Sequence, residues 1–364
     1  MSKKLKGNLL LLLVAFIWGS AFVAQSSGMD YVGPYTYNMT RNVLAFLFLI
    51  PVIWFMERGR SKSAVANLSD FEDRLVDQFG EQHTQVLDAD AAAPTMASAN
   101  EKANIAPNGQ AQQSFWEVIR PNRITLIGGI CCGLALSVAS TFQQVGITMT
   151  TAGKSGFITA LYIIMVPIMS VVLGKKIPKI IWFCASLAIV GFYLLCVTED
   201  FTISTGDVLT LICAICFSVH IIVIDYFTSK NVDGVKMSCI QFGVASIVLT
   251  PLMFLMEDPS MHAILSAWVT IGYAGILSSG VAYTLQIVAQ KDTDPTTATL
   301  IMSLESVFAA LSGWVILHEV LSAKELLGCA IVLVAVVLAQ VPLPTRAPKT
   351  RKADIMADGS EANE

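Results

Sequence analysis

Long apolar runs separated by short polar turns dominate the chain. Each run is about 20 residues long, the length that a helix needs to cross a hydrocarbon core of ~30 Å. The runs are residues 7–25, 35–56, 123–146, 151–173, 177–197, 207–226, 235–256, 265–289, 295–316 and 322–341. Continuous apolar runs satisfy their backbone groups as helices rather than as barrel strands. The pattern therefore predicts an all-α polytopic membrane protein with about ten transmembrane helices.

The placement of charge predicts the orientation of these spans. With 54% hydrophobic and 14% charged residues, the chain is too apolar for a water-soluble globule. If the N-terminus is cytoplasmic, all but three of the 23 Lys and Arg residues fall on the inner side, whereas outer turns carry Asp30, Glu199 and Glu257. The positive-inside rule then predicts that both termini are cytoplasmic. A cleaved signal peptide at the basic start is the alternative, and it would spoil this charge pattern.

Two polar segments interrupt or follow the spans. Residues 57–121 form a cytoplasmic loop in which 61–113 are acidic and of low complexity, so we expect disorder there. This insertion is either a tolerated linker or a regulatory, partner-binding segment. Residues 342–364 are predicted to form a disordered cytoplasmic tail.

One stretch of the chain occurs twice, at residues 141–176 and 284–319. A constant shift of 143 positions aligns the copies without a gap and places Gln143 on Gln286 and Leu161 on Leu304. Two halves, 1–198 and 205–341, would each hold five spans, and an odd number makes the second half inverted. Inverted repeats are typical of secondary transporters, whose substrate site lies near the midplane where the repeats meet.

Several motifs resemble those of EamA-type permeases of the drug/metabolite transporter superfamily. They are T-T-A-G-K-S-G-F-I-T-A-L-Y-I-I-M-V-P at Thr150–Pro167, S-L-E-S-V-F-A-A-L-S-G-W-V-I-L-H-E at Ser303–Glu319, and W-G-S-A-F at Trp18–Phe22. The resemblance implies a ten-helix fold with a central cavity between its halves, in a protein that moves small metabolites across the membrane. The chain departs from the family at Ser306, where Pro is usual, so we expect a softer kink there. The 61–113 insertion is also longer than the usual inner loop.

Ionisable residues within the spans are the first candidates for function, because such groups are expensive at depth unless they face protein or water. Glu305, near the middle of its span, is predicted to face the cavity as a coupling or gating group, or else to bond a neighbouring helix. Lys154 and Arg41 either snorkel to the interface or offer a counter-charge to an anionic substrate group. His220 is a second proton-coupling candidate, with a satisfied structural histidine as the alternative.

Amphipathic side chains within the spans complete the candidate site. Groups of this type line small-molecule sites, although each also serves in helix packing. The substrate-binding candidates of this kind are Trp18, Gln143, Tyr162, Tyr283 and Gln286.

The chain has no Walker sequence, metal-ligand cluster, activated nucleophile or nucleic-acid motif, so we predict no enzyme activity, no cofactor and no metal. We expect a secondary-active exporter of small metabolites such as amino acids, working by alternating access and coupled to protons. Its partners would be the metabolite, protons and the lipid bilayer of a bacterial plasma membrane, with a monomer or homodimer as the assembly. The alternatives are a membrane-embedded enzyme acting on lipid or prenyl substrates, and a non-transporting sensor or assembly subunit.

Overall fold

A computed structural model describes residues 3–59, 121–150, 152–196, 204–230, 232–316 and 322–340. Throughout these ranges the regular structure is helical. In chain order the helices are α1 Lys3–Gly28, α2 Pro34–Gly59, α3 Arg123–Ile147, α4 Ala152–Thr159, α5 Tyr162–Val172, α6 Lys179–Cys196, α7 Thr205–Thr228, α8 Gly234–Met256, α9 Met261–Ser266, α10 Trp268–Gly272, a π-helical segment Tyr273–Tyr283, α11 Thr284–Gln290, α12 Pro295–Met302, α13 Glu305–Ile316 and α14 Ala323–Gln340.

The helices confirm an all-α polytopic membrane protein. In the described part of the chain, 8 helical segments are long and apolar enough to span a membrane, and Lys179–Leu194 and Leu326–Ala339 are shorter apolar helices. Each of the predicted apolar runs therefore coincides with a helical span or with one of these two helices. The predicted insertion 61–113 and the tail 342–364 lie outside the described residues.

Two spans are interrupted at matching points. The α4–α5 span breaks at residues 160–161 and the α12–α13 span at residues 303–304. The helix tightens at both places, with i to i−3 bonds of 3.2 Å from Leu161 N to Ile158 O and from Leu304 N to Ile301 O. Pro167 lies farther along, within α5. Despite Ser306 in place of Pro, the second span is also interrupted.

Glycines set the closest helix crossings. The G-x-x-x-G of α3 packs closely on α8, because a Cβ at Gly129 would lie 2.5 Å from the Ile240 Cβ and one at Gly133 would lie 2.7 Å from the Gln241 carbonyl oxygen. On α1, a Cβ at Gly19 would lie 2.5 Å from the Phe308 Cβ on α13. Backbone approach of this kind is how helices associate where the surrounding lipid is as apolar as the side chains. These crossings bring α1 against α13 and α3 against α8.

The bundle has a lysine end, which carries Lys175, Lys230, Lys236 and Lys291, and an opposite end, where α1 finishes and α2 begins. At the lysine end, Lys236 Nζ of α8 lies 3.4 Å from Glu57 Oε1 of α2. Lys175 pairs there with Asp225.

Glu257, at the far end of α8, holds the start of α2 at the opposite end. Its carboxylate accepts bonds of 2.9 Å from Tyr35 N, 2.9 Å from Thr36 N and 2.5 Å from Thr36 Oγ1. A Cβ at Gly33 would lie 2.3 Å from this carboxyl group, so only glycine admits the contact without a shift. The antiparallel pair α2–α8 is thus tied at both ends.

Helices α2 and α8 also share a burial pattern when shifted by 200 positions. The shift places Ala45, Leu49, Pro51, Met56 and Glu57 on identical residues. Most of the positions between 41 and 57 keep their burial or exposure at 241 to 257. A shift of 199 does the same for α1 and α7, whose buried faces superpose at most positions. The two glutamates that tie the ends of the α2–α8 pair, Glu57 and Glu257, are therefore equivalent under the shift of 200.

Candidate functional site

A cavity of about 470 Å³, including its open mouth, lies deep among α1, α2, α3, the two interrupted spans, α7 and the π-helical segment. The structure brings together eight of the nine side chains singled out from the sequence. They are Trp18, Arg41, Gln143, Tyr162, His220, Tyr283, Gln286 and Glu305. The ninth, Lys154, belongs to α4, but its side chain lies outside the described residues.

Tyr162 and Glu305 meet where the two interrupted spans cross. Each is the first residue of its second helix piece, α5 and α13, and the Tyr162 hydroxyl donates to Glu305 Oε1 at 2.9 Å. Their separation of 143 residues equals the repeat shift, so these equivalent positions bond each other. A carboxylate is favoured at a helix N-terminus by the helix dipole. Glu305 therefore both lines the cavity and bonds a neighbouring helix, whereas its role as a coupling or gating group stays a prediction.

Ser306 adds a second tie between the same spans. Its hydroxyl donates to the Gly156 carbonyl oxygen at 3.2 Å. The residue that departs from the family pattern thus contributes a bond that proline cannot make.

Arg41 is held by neutral groups from two helices. Its Nη1 donates to Gln25 Oε1 at 2.8 Å and its Nε donates to Asn38 Oδ1 at 3.1 Å. Asn38 in turn donates to Ser140 Oγ of α3 at 3.1 Å. The guanidinium therefore lies in a network of amides and a hydroxyl, and the snorkelling interpretation is wrong because Arg41 is only 4% exposed.

His220 faces the cavity from α7. Its Nε2 lies 3.1 Å from Gln241 Oε1, whereas its Nδ1 is buried and has no hydrogen-bond partner among the described residues. Gln286 Oε1, also on a cavity residue, is likewise buried without a partner in that part of the chain. Buried polar atoms usually find a partner, so their state here suggests that cavity water or a ligand satisfies them.

An aromatic wall closes one side of the cavity. The rings of Trp18 and Tyr283 lie 4.7 Å apart between centroids. Trp18 Nε1 donates to the Ser278 carbonyl oxygen at 3.2 Å, which ties α1 to the π-helical segment. The wide turns of a π-helix often mark functional sites, and here they carry Ser278 and Tyr283 into the lining.

Sequence reasoning missed six lining residues. They are Phe22, Gln25, Thr159, Phe217, Ile221 and Ser278. The repeat points to one of them, because a shift of 199 places Trp18 on Phe217. The same shift pairs Phe22 with Ile221, both of which the sequence reasoning missed. Gln143 and Gln286 form a third equivalent pair in the lining, and Tyr162 with Glu305 forms a fourth. Nothing in the local pattern marks Thr159 or Ser278, because other small hydroxyl residues, such as Ser155 and Ser279, lie close by in the same spans.

Within the described ranges, no group of three or more His, Cys, Asp or Glu side chains could hold a metal ion. The chemistry that this site offers is therefore that of hydrogen bonds, one buried cation, one carboxyl group and aromatic faces.

Comparison with known proteins identifies the family. The sequence pattern of the EamA-like transporter family matches residues 5–69 and 204–340, more than half of the chain. A protein of Archaeoglobus fulgidus named as an uncharacterized transporter is 26% identical over 339 residues, covering 92% of this chain and 86% of that protein.

The fold has a counterpart among solved structures. A crystal structure described only as that of a protein has a TM-score of 0.64 at 15% identity, covering 92% of this chain and 96% of that one. At this identity the likeness speaks for the fold alone. From the family match, the chain is a membrane transporter that belongs to the EamA-like transporter family.

Proposed function

We propose that the protein exports small polar or amphipathic metabolites, such as amino acids or related compounds, by proton-coupled alternating access. The observation that carries the proposal is the cavity at the crossing of the two interrupted spans. Transporters with broken helices bind their substrates at such crossings, where helix termini and freed backbone groups face the cavity.

An inverted duplication of residues 1–198 and 205–341 is part of the proposal. It is supported by the equivalent breaks at 160–161 and 303–304 and by the shared burial of α2 and α8. The helix contacts follow the same rule, since α1 packs on α12 and α13 as α7 packs on α4 and α5. Two halves of opposite orientation have two related arrangements, and exchange between them would open the cavity to each side in turn.

The proposed coupling places the transported proton on Glu305. In one arrangement its carboxyl group is neutral and bonded to Tyr162, and in the other it is charged and open to the cavity. A charged carboxylate in the membrane interior is expensive unless water or a cation reaches it. Proton release would therefore accompany opening of the cavity. The same proposal puts both termini in the cytoplasm of a cell whose cytoplasmic membrane holds the protein, because the lysine end then faces inward.

A substrate panel on proteoliposomes tests this function. Labelled amino acids and related amphipathic metabolites are offered with and without an imposed pH gradient, and we expect gradient-dependent accumulation of at least one of them. Glu305→Gln keeps the shape of the side chain but cannot release a proton. We expect this variant to lose accumulation driven by the gradient and to keep exchange of labelled for unlabelled substrate at equal pH.

The matched control is Asp258→Asn, which neutralises an exposed acid at the end of α8. It should transport as the wild type does. Gradient-driven accumulation by a folded Glu305→Gln protein at the wild-type rate would rule out Glu305 as the proton carrier. Absence of transport for every compound tested, in both directions, would contradict the proposed function itself.

A further inference from the structure

Arg41 is a cation that the described protein leaves without a counter-charge. It is 4% exposed and lines the cavity from α2. Its bonds to Gln25 and Asn38 fix the orientation of the guanidinium, but both partners are neutral amides. Amides satisfy N–H groups without neutralising the charge, and a buried unpaired charge is expensive in a medium of low dielectric constant.

Glu305 does not supply the missing charge. It is the one acid in the cavity lining, and among the described residues its carboxylate forms no ion pair with Arg41. Its hydrogen bond goes to Tyr162 at the crossing of the interrupted spans. The cavity therefore carries a guanidinium and a separate carboxyl group.

The rest of the lining sets the character of a ligand bound beside Arg41. The paired rings of Trp18 and Tyr283 offer a flat apolar surface, and Phe22 and Phe217 extend it. Gln286 Oε1, which has no partner among the described residues, can accept a bond from an N–H or O–H group. A guanidinium binds a planar carboxylate through two parallel bonds, which gives orientation as well as affinity.

We propose that the cargo carries a carboxylate that binds Arg41, with an apolar or aromatic body against Trp18 and Tyr283. This rests on the proposed function, since it treats the cavity as the transport site. The cargo neutralises the buried guanidinium, so anionic compounds are selected over amides and amines of the same shape.

Isothermal titration calorimetry on the purified full-length protein tests this selection. The probes are phenylacetate, phenylacetamide, phenethylamine and benzylphosphonate, which share a phenyl body and differ in the head group. We expect phenylacetate to bind the wild type roughly 10- to 100-fold more tightly than phenylacetamide, from the strength of charged hydrogen bonds. Benzylphosphonate distinguishes a carboxylate site from a general anion site, and tighter binding of the phosphonate would overturn the carboxylate assignment.

Arg41→Gln should abolish the preference for phenylacetate over phenylacetamide, and Arg41→Lys should retain part of it because the charge remains. Arg123→Gln makes the same exchange at an exposed residue at the start of α3 and should keep the full preference. The inference is overturned if Arg41→Gln keeps the wild-type preference, if the wild type prefers the amine or amide, or if no probe binds.

Liposome exchange separates this inference from the function on which it rests. Binding that depends on Arg41 without exchange of labelled phenylacetate would uphold the site and contradict transport. Exchange of compounds without a carboxylate, unaffected by Arg41→Gln, would uphold transport and contradict the site.

Discussion

Single residues determine how closely the helices around the cavity approach. A Cβ at Gly19 would lie 2.5 Å from the Phe308 Cβ and 2.6 Å from the Glu305 carbonyl oxygen. Gly19 therefore lets α1 lie directly on the start of α13, where Glu305 bonds Tyr162. Trp18, its neighbour, reaches the π-helical segment through Ser278. One turn of α1 thus contacts both α13 and the π-helical segment.

Gly19→Ala should destabilise the protein and impair transport together. The added methyl group meets backbone atoms that cannot rotate away, so α1 must shift, and overpacking of this kind typically costs about 1–3 kcal/mol. Thermal unfolding in detergent and substrate exchange in liposomes measure the two effects. Gly272→Ala is the control, because nothing lies within 4 Å of the added Cβ. Equal unfolding temperatures for the two variants would show that the α1–α13 contact is looser than described.

At the level of helices, the sequence predicted the spans well and their interruptions poorly. Apolar length marks a membrane helix directly, so the runs agree with the observed helices to within a few residues. The breaks at 160–161 and 303–304 carry no Gly or Pro of their own, since Ala160, Leu161, Ser303 and Leu304 occupy them. Packing between the crossing spans sets these positions, and a local pattern cannot report it.

The repeat also escaped detection in its first two helices. Residues 57–121 separate α2 from α3, so α1 and α2 align with α7 and α8 at shifts near 200, whereas the later helices align at 143. A single shift can capture only one of these groups. The burial pattern recovers the other because a helix keeps the same buried face wherever its loops are lengthened.

The α2–α8 pair makes a prediction at this level. Glu257 accepts three bonds at the start of α2, and charged hydrogen bonds contribute about 1.5–3 kcal/mol each when both groups are well shielded. Glu257 is partly exposed, so we expect Glu257→Ala to lower the free energy of unfolding by roughly 1–3 kcal/mol in total. Denaturant unfolding measures this loss. The adjacent Asp258→Asn should change little, and indistinguishable stabilities would mean that the carboxylate does not hold α2.

For the whole molecule, the sequence identified the chemistry of the site better than its geometry. Polar and ionisable side chains are rare in apolar spans, so their presence pointed to Arg41, His220 and Glu305. The sequence could not show that Glu305 bonds Tyr162 rather than a cation, because that contact joins residues 143 positions apart. It also gave no sign of the π-helical segment that carries Tyr283 into the cavity.

We propose that one cavity between two inverted halves opens to each side in turn. The contacts at both ends of the α2–α8 pair and the equivalent breaks suit two related arrangements around Tyr162 and Glu305. A fixed pocket open to one side would explain neither the matching breaks at 160–161 and 303–304 nor the carboxyl group where the two spans cross.

Sided labelling of a cavity cysteine shows whether both sides of the membrane reach the cavity. Gln143→Cys is placed in a chain whose 8 native cysteines are replaced, and a membrane-impermeant maleimide is applied to right-side-out and to inverted vesicles. We predict labelling from both sides, with an imposed pH gradient raising the rate on one side while lowering it on the other. Labelling from one side alone under every condition, in a protein that still transports, would contradict alternating access.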